Sequence, residues 1–385
     1  MTLTRRHFLR SALATPAVMT WPGVALAAAP PGWRRHLVMV ELNGGNDGLN
    51  TVIPYADPQY RALRPKLALP RDRVLHLDEH LGLHPALAPL MPLWRDRQLA
   101  IALGVGYPQP NLSHFRSIDI WETATAAETY GEDGWITRLF KERPPPAHLP
   151  ADGIVLGRNE PGPLAGEDAR VIALGRLKNL RKRNRKPLPD LSGNPLLSHV
   201  VTVQNTMDLA ERRLVERNLQ DVNLAVTFPD HSLGRQLEVA ARLIISGSGV
   251  PAIKCALGGF DTHGGQLGRH RRLLGQLAES LSAFSRALKA AGHWQDVVVM
   301  TYAEFGRRPR ENASGGTDHG TAAPHFLLGG RVRGGFLGEQ PPLDRLEVGN
   351  LAHRLDFRAL YAALARDWWG LEGAFLGPRS VPLIA

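Results

Sequence analysis

Six residues with metal-binding side chains stand beside apolar runs that have the length of β-strands. They are Asp47 in GGNDGLN, Asp261 and His263 in GGFDTHGGQ, Glu304 in YAEFGRR, and Asp318 with His319 in SGGTDHG. Because the carboxyl ends of parallel strands face one crevice, we expect these distant residues to converge. The sequence therefore predicts a metal site at one edge of a sheet.

The six side chains combine carboxylate oxygens with imidazole nitrogens. Such a mixed set suits Zn²⁺ or Mn²⁺ and, with fewer imidazoles, Mg²⁺ or Ca²⁺. Two ions about 3.5–4 Å apart would clamp an oxyanion and lower the pKa of a bound hydroxyl or water. One or two divalent ions are therefore expected, and the sequence leaves their identity open.

A serine and a histidine stand at the predicted start of a helix. The stretch NLSHFRSIDIWETAT predicts a loop that enters a helix near Ser113. Free backbone N–H groups and the helix dipole favour an anion there, so Ser113 is a candidate nucleophile or anion ligand, with His114 beside it. Serine is also a favoured helix N-cap, and a purely structural role for Ser113 stays open.

Structural roles are open for the acidic residues as well. Asp47 lies in a glycine-rich loop, where aspartate is a common turn former. Asp261 could cap the helix that follows it. A carboxylate at Glu304 would be partly buried and needs a partner, which Arg307 or Arg308 could supply without any metal.

Apolar runs alternate with stretches of helical period along the chain. This alternation predicts an α/β fold with a mainly parallel central sheet and helices on both faces. Strands are expected at 36–42, 98–106, 250–259, 296–306 and 324–330. Helices are expected at 85–97, from near 113, and at 196–220, 232–246, 267–291 and 356–369. The stretch 141–195, rich in Pro, Gly and basic residues, is predicted to be an irregular insertion or subdomain.

The N-terminus has the pattern of an export signal. TRRHFLR precedes a weakly apolar run that ends in small residues at Ala27, as in twin-arginine signal peptides. That run is too short and too rich in Ala, Pro and Thr for a stable membrane span, and an ordinary secretory signal or an anchor is the alternative. We therefore expect residues 1–27 to be a signal read by the twin-arginine translocation machinery. Residues 28–385 are then one periplasmic domain without a transmembrane segment.

The single cysteine is predicted to lie in the core, and the charge distribution indicates which binding partners are possible. Cys255 lies in the apolar run PAIKCAL, so we interpret it as a core residue. The formal net charge is +10, and Gly175 to Lys186 holds seven basic residues and no acid. This run is either a solvated loop or a surface for an anionic envelope component. No aromatic residues are interleaved for base stacking, so no nucleic-acid partner is predicted.

Taken together, these motifs resemble a known family. The succession LVMVELNGGNDGLNTVIPY, NLSHFRSIDIWETA, GGFDTHGGQ, EFGRRPRENASGGTDHG and LLGG closely resembles the DUF1501 family of exported bacterial proteins. That family is similar to the alkaline phosphatase superfamily, which includes sulfatases and cofactor-independent phosphoglycerate mutases. The resemblance implies a parallel-sheet core, a Ser or Thr nucleophile, and up to two divalent metals held by Asp and His after several strands.

The resemblance also implies roles by position. Asp47 resembles the metal aspartate of the first strand, and Ser113 resembles the nucleophile at a helix start. Asp261 and His263 resemble the pair that holds one metal, and His319 resembles the last metal histidine.

Two positions depart from the superfamily pattern. Its aspartate and histidine are spaced more widely than Asp261 and His263, and Glu304-Phe305 stands where an Asp-His pair is usual. A one-metal site, or a site that binds without turnover, therefore stays open. Asp318 is a candidate metal ligand as well, and the alternative is that it only orients His319, which has the stronger claim to the metal.

Two function classes follow from these observations. The first is a periplasmic metal-dependent hydrolase or transferase that acts on a small phosphate or sulfate ester. The second is a catalytically degenerate member that serves as an envelope binding or assembly factor for an anionic partner. Ester hydrolysis would indicate the first class. Loss of partner binding on neutralising 175–186 would indicate the second.

Overall fold

The computed structural model describes residues 31–174 and 212–385, except residue 215, together with residues 197, 201 and 209. The predicted signal at 1–27 and the basic run at 175–186 lie outside the described residues, as does most of the helix predicted at 196–220. Among the described residues, no helix has the length and apolar character that a membrane crossing requires.

The described residues form twelve strands. They are β1 (His36–Asn43), β2 (Val52–Ile53), β3 (Leu75–His76), β4 (Gly82–Leu83), β5 (Leu99–Gly106), β6 (Gly153–Leu156), β7 (Val171–Leu174), β8 (Ala252–Gly258), β9 (Val297–Tyr302), β10 (Ala323–Gly329), β11 (Gly335–Leu337) and β12 (Leu355–Asp356). All eight residues of β5 and all six of β9 are buried, as expected for apolar runs in the centre of a sheet.

Seven α-helices lie entirely within the described residues. They are α1 (Pro58–Leu63), α2 (Met91–Arg95), α3 (His114–Thr123), α4 (Trp135–Glu142), α5 (Ser232–Ile245), α6 (Gln266–Ala290) and α7 (Phe357–Ala363). A π-helical segment, Leu364–Trp369, continues α7. The helix predicted at 85–97 is instead a 3₁₀ helix, Pro85–Leu90, followed by the short α2. Pro89 lies inside this segment, and a proline cannot donate the backbone hydrogen bond that a regular α-helix needs.

The central sheet has the strand order β11-β5-β10-β9-β1-β8-β6-β7, and β12 pairs with β5. Every pair is parallel except the two made by β10, which runs antiparallel to β5 and β9. A small antiparallel sheet has the order β2-β4-β3. The predicted α/β fold with a mainly parallel central sheet is confirmed.

Side chains alternate between the two faces of the central sheet. Val38 and Val40 of β1 pack in a cluster that includes residues of α5 and α6. Leu37 and Met39 pack on the other face with residues of α3, α4 and α7. Cys255 is fully buried and free, which agrees with the predicted packing role, and burial raises the pKa of its thiol.

The stretch predicted to be irregular contributes two strands to the sheet. β6 pairs in parallel with β8, and β7 pairs in parallel with β6, so both extend the central sheet at one edge. Their apolar runs, GIVL and VIAL, are only four residues long and are surrounded by Pro and Gly. Such short runs are weak strand signals, which explains why the sequence pattern did not reveal them.

The strand directions define one functional edge. β1, β5, β8 and β9 run in the same direction, so their carboxyl ends lie together. Because β10 runs the opposite way, it begins at the edge where the others end. The loop before β10 therefore meets the loops after β1, β8 and β9.

Candidate metal centre

Two glycines allow the loops at this edge to approach closely. Gly44 and Gly45, just after β1, have φ values of 111° and 77°, which glycine adopts far more readily than other residues. A Cβ on Gly44 would collide with the backbone of Asp261, and one on Gly45 would lie 2.6 Å from the ring of Phe305. The loop after β1 can therefore contact the loops after β8 and β9.

Three histidines turn their Nε2 atoms toward the carboxylate of Asp261. His263 Nε2 lies 3.1 Å from Oδ1, and His319 Nε2 lies 3.4 Å from the same oxygen. His114 Nε2 lies 3.7 Å from Oδ2. One ligand atom from each of His114, Asp261 and His319 lies within 4.8 Å of the other two. The structure thus brings together four of the residues singled out in the sequence, and these form one cluster: His114, Asp261, His263 and His319.

Each of the three rings is held through Nδ1 by a hydrogen-bond acceptor. The Nδ1 contacts are His114 to Glu304 Oε1 at 2.9 Å, His263 to Asp318 Oδ1 at 3.3 Å, and His319 to the carbonyl of Leu112 at 2.9 Å. Carbonyls and ionised carboxylates only accept, so Nδ1 carries the proton in each neutral ring. Each Nε2 then presents a lone pair toward Asp261.

The Nε2 lone pairs are not paired with donors of the cluster. His263 Nε2 and His319 Nε2 lie only 3.0 Å apart, and neither has a proton to share when both rings are neutral. Burial lowers the pKa of His319, so this ring is neutral near pH 7. A cation beside these nitrogens would remove the repulsion between them. Imidazoles held through Nδ1 by a carboxylate or carbonyl are typical of metal sites, so these residues fit a divalent ion.

Glu304 holds His114 from a buried position. Its Oε1 accepts the backbone N–H of Gly44 at 2.8 Å and lies 2.9 Å from His114 Nδ1. The residue is only 1% exposed, and its Oε2 has no hydrogen-bond partner among the described residues. The alternative that Arg307 or Arg308 pairs with Glu304 is wrong, because the Glu304 contacts are Gly44 and His114 and Arg307 donates to Asp261 and to backbone carbonyls instead.

Arg307 binds Asp261 and connects the loops. Its buried guanidinium donates to Asp261 Oδ1 at 2.5 Å and to the Thr317 carbonyl at 2.7 Å. It also donates to the carbonyls of Gly44 and Gly45. Burial acts to raise the pKa of Asp261, but Arg307 outweighs it and the pKa is lowered. The alternative of Asp261 as a helix cap is not observed, since α6 begins after Gly265.

Asp47 lies outside the cluster. Both of its oxygens accept from Arg64, at 2.6 and 2.8 Å, and Gln266 donates to one of them. Both side chains of the Asp47–Arg64 pair are fully buried. Burial acts to raise the pKa of Asp47, but Arg64 overcomes this effect and the pKa is lowered. Asp47 is thus ionised and paired with an arginine in this structure.

Ser113 occupies the N-cap position of α3, as predicted, but its side chain makes no capping hydrogen bond. The residue is exposed, and its backbone N–H donates to Asn111 Oδ1 at 2.8 Å. The first N–H groups of a helix have no acceptor within the helix and attract anions. The hydroxyl of Ser113 therefore lies beside an anion-binding feature, directly before His114.

Asp318 contacts the cluster through His263 rather than through His319. Its Oδ1 accepts from Asn312 Nδ2 at 3.0 Å and lies 3.3 Å from His263 Nδ1. The hydrogen bond from Asn312 lowers the pKa of Asp318. The expected orienting role for Asp318 thus has a contact to support it, although to a different histidine.

Arg64 and a buried charge group were missed in the sequence. Arg64 lies in a loop with other basic residues, and nothing in its spacing indicates burial beside Asp47. On the face of the sheet that contacts α3, Lys254 Nζ lies 2.8 Å from Glu122 and 3.3 Å from Glu41. A lysine and a glutamate inside the apolar runs PAIKCAL and HLVMVEL were the available signal for this second group.

Solved structures similar to this chain include three bacterial proteins. The lipoteichoic acid synthase LtaP from Listeria monocytogenes is 10% identical, with 91% of this chain and 76% of that chain covered and a TM-score of 0.40. The periplasmic domain of EptC from Escherichia coli, in complex with Zn, is 9% identical, with 78% and 73% covered and a TM-score of 0.35. The alkaline phosphatase of the Antarctic bacterium TAB5 is 11% identical, with 77% and 92% covered and a TM-score of 0.32. Similarity at this level establishes neither an activity nor a site.

No curated protein matches the chain. A sequence-family model does match: DUF1501, described as a protein of unknown function, covers residues 100–366, which is more than half of the chain. This range includes Ser113, the three histidines of the cluster and Asp261. The resemblance noted in the motifs is confirmed, and the chain belongs to the DUF1501 family.

Proposed function

We propose that this chain is an exported, metal-dependent hydrolase or transferase that acts on phosphate or sulfate esters. The observation that carries the proposal is the arrangement of three imidazoles, each held through Nδ1, with their Nε2 atoms directed at Asp261. An exposed serine at a helix start precedes one of these histidines. A metal-ligand set beside a hydroxyl nucleophile is suited to ester cleavage.

The donor set favours one class of metal. His114, His319 and Asp261 would hold the ion, and His263, whose Nε2 lies 3.0 Å from that of His319, would supply a further nitrogen beside them. Such a set suits Zn²⁺ or Mn²⁺ better than Mg²⁺ or Ca²⁺, which prefer oxygen ligands. A bound divalent ion would stabilise the negative charge that develops on the oxygens of the ester. Because Asp47 is engaged by Arg64, we propose one metal rather than two.

The protein side chains would act in two displacement steps. In the first, Ser113 Oγ forms a bond to phosphorus or sulfur, and the bond from that atom to the departing alcohol oxygen breaks. The serine proton passes to solvent, and the departing alkoxide takes a proton from solvent. In the second step, water or an acceptor alcohol displaces Ser113 Oγ, which regains its proton. Backbone N–H groups at the start of α3 would bind the anionic ester oxygens.

Ser113→Ala separates a chemical role from a structural one. Since the hydroxyl makes no capping bond, we expect the free energy of unfolding to change by less than about 0.5 kcal/mol. We expect the turnover number with an aryl phosphate or aryl sulfate to fall by about 10³-fold or more. The matched control is Ser314→Ala, an exposed serine outside the cluster, which should retain both activity and stability.

The experiment uses the full chain exported in its folded state, and its metal content is measured by elemental analysis. About one equivalent of zinc or manganese, with turnover lost in Ser113→Ala, supports the proposal. A protein without metal, or turnover that is equal in Ser113→Ala and wild type, refutes it. A metal-loaded protein that hydrolyses neither ester would indicate the binding or assembly role instead.

A further inference from the structure

A cavity lies apart from the candidate metal centre, where the first turns of α6 face the segments around β3 and β4. Its volume is about 330 Å³, near the small end of the range of about 300–1,000 Å³ for small-molecule sites. It is lined by Leu69, Arg73, His84, Pro85, Ala86, Leu267, Gly268 and Arg271. None of these residues belongs to the candidate metal centre, to the Asp47–Arg64 pair or to the group around Lys254.

Two arginines give this cavity a positive charge without compensation. Arg73 and Arg271 are exposed, and their side chains have no hydrogen bond or ion pair within the part of the chain that the structure describes. The lining contains no acidic residue. Arginines without acidic partners at the wall of a concave site attract anions and bind carboxylates or similar groups through paired N–H donors.

A buried histidine adds a neutral donor. His84 is 5% exposed, and its Nδ1 accepts the backbone N–H of Ala86 at 3.0 Å. The remaining proton is therefore on Nε2, which has no hydrogen-bond partner among the described residues. Burial lowers the pKa of His84 to about 4, so the ring is uncharged near pH 7. A ligand atom that accepts a hydrogen bond would satisfy this donor.

The rest of the lining is apolar. Leu69, Pro85 and Ala86 form part of the wall, and Leu267, which is 47% exposed, adds accessible apolar surface from the first turn of α6. Apolar surface beside paired cations matches a molecule that has an anionic head and a short hydrocarbon part.

We propose that this cavity binds a small amphiphilic anion. Its anionic group would lie between Arg73 and Arg271, and its hydrocarbon part would contact Leu69 and Leu267. This second site is independent of the proposed esterase-type activity, and its existence can be tested without any turnover assay.

Calorimetric titration of the full chain with octanoate and octanesulfonate tests the ligand class, with 1-octanol and inorganic phosphate as comparison probes. We expect both anions to bind at least about tenfold more tightly than either comparison probe, since 1-octanol lacks the anionic group and phosphate lacks the hydrocarbon part. If only one anion binds, the head group is identified as carboxylate or sulfonate-like and the proposal stands. Equal binding of 1-octanol, equal binding of phosphate, or no binding of either anion overturns it.

Paired arginine variants locate the anionic end. Arg271→Ala removes a lining guanidinium, whereas Arg272→Ala removes an exposed guanidinium from the same helix that does not line the cavity. We expect Arg271→Ala to weaken octanoate binding by about tenfold and Arg272→Ala to leave it within about twofold. Equal affinities in the two variants would place the anion elsewhere and contradict the proposal.

Paired glycine variants locate the hydrocarbon end. A Cβ on Gly268 or on Gly275 would meet nothing within 4 Å, and both glycines lie inside α6, but only Gly268 lines the cavity. Gly268→Leu should therefore fill the cavity and reduce octanoate binding by more than about tenfold, while Gly275→Leu should not. Circular dichroism and the melting temperature should show that both variants fold, since leucine is a better helix former than glycine. Full binding by a folded Gly268→Leu protein would exclude this cavity.

Discussion

Glu304 supports the candidate metal centre from a buried position. Its Oε1 holds both Gly44 and His114, while its Oε2 has no partner among the described residues. A carboxylate behind an imidazole fixes the ring and raises its basicity as a metal ligand. At this position glutamate therefore acts as a positioning residue for His114.

Glu304→Gln should weaken metal binding. The amide keeps the size of the side chain but removes the charge behind His114, so we expect zinc affinity to fall by about 10–100-fold. Competition titration with a chromogenic chelator measures this change. Glu311→Gln is the control, because Glu311 accepts backbone N–H groups of Lys66 and Leu67 outside the cluster. Equal zinc affinity in the two variants would contradict the role assigned to Glu304.

Asp47→Asn tests the buried ion pair that Asp47, which was predicted to be a metal ligand, forms with Arg64. Removing one charge leaves the buried guanidinium of Arg64 uncompensated, which should cost about 3–5 kcal/mol in the free energy of unfolding near pH 7. Urea unfolding measures this difference, and Asp72→Asn, at an exposed aspartate, should change little. An unchanged stability in Asp47→Asn would mean that the ion pair does not contribute as its burial indicates.

The same variant has a pH signature. The pKa of Asp47 in the folded protein lies below its usual value of 3.8, so the folded state binds this proton less readily than the unfolded state. The stabilisation is then fully present above about pH 4 and is lost as the pH falls through the lower folded pKa. The difference between wild type and Asp47→Asn should be constant from pH 5 to 7 and should shrink below pH 4. A difference that grows on acidification would contradict this sign.

At the scale of the elements, five strands of the central sheet were predictable, whereas β6, β7 and the direction of β10 were not. Apolar runs bounded by glycine were sufficient to predict β1, β5, β8, β9 and β10. His319 precedes its strand, however, so in an all-parallel sheet it would lie at the opposite edge from Asp261. Only the antiparallel direction of β10 brings the two together. That direction depends on long-range pairing, which a periodicity of side chains does not encode.

The loop before β10 is held by a close backbone approach that Gly316 makes possible. A Cβ on Gly316 would collide with the backbone of Thr262 and His263. Gly316→Ala should therefore push this loop from the loop after β8, at a cost of about 1–3 kcal/mol, and lower zinc affinity by separating His319 from His263. Gly264→Ala is the control, since its Cβ would meet its nearest atom at 3.5 Å.

Thermal unfolding and zinc titration of these two glycine variants measure the effect. Loss of both stability and zinc affinity in Gly316→Ala, with neither lost in Gly264→Ala, is the expected result. Full zinc affinity in Gly316→Ala would show that the histidine positions do not depend on this contact.

At the scale of the whole molecule, a buried lysine links the centre of the sheet to a helix. Lys254 of β8 is 2% exposed and contacts Glu41 of β1 and Glu122 of α3. Burial acts to lower the pKa of Lys254, but Glu122 and Glu41 outweigh it and the pKa is raised. Burial also raises the pKa of Glu122. This group lies on the face of the sheet that packs against α3, so it couples the helix with Ser113 at its N-cap position to the core.

Lys254→Met should therefore destabilise the whole fold. It leaves the buried carboxylate of Glu41 and the partly buried carboxylate of Glu122 without their cation, which should cost about 3–5 kcal/mol and lower the melting temperature by at least about 5 °C. Lys289→Met removes a partly exposed lysine whose contact to Asp96 is 3.4 Å, and it should change stability by less than about 1 kcal/mol. Adding Glu41→Gln and Glu122→Gln to Lys254→Met removes the uncompensated charges and should recover part of the lost stability. A triple variant no more stable than Lys254→Met would mean that packing of the lysine stem, rather than charge pairing, determines the stability of this region.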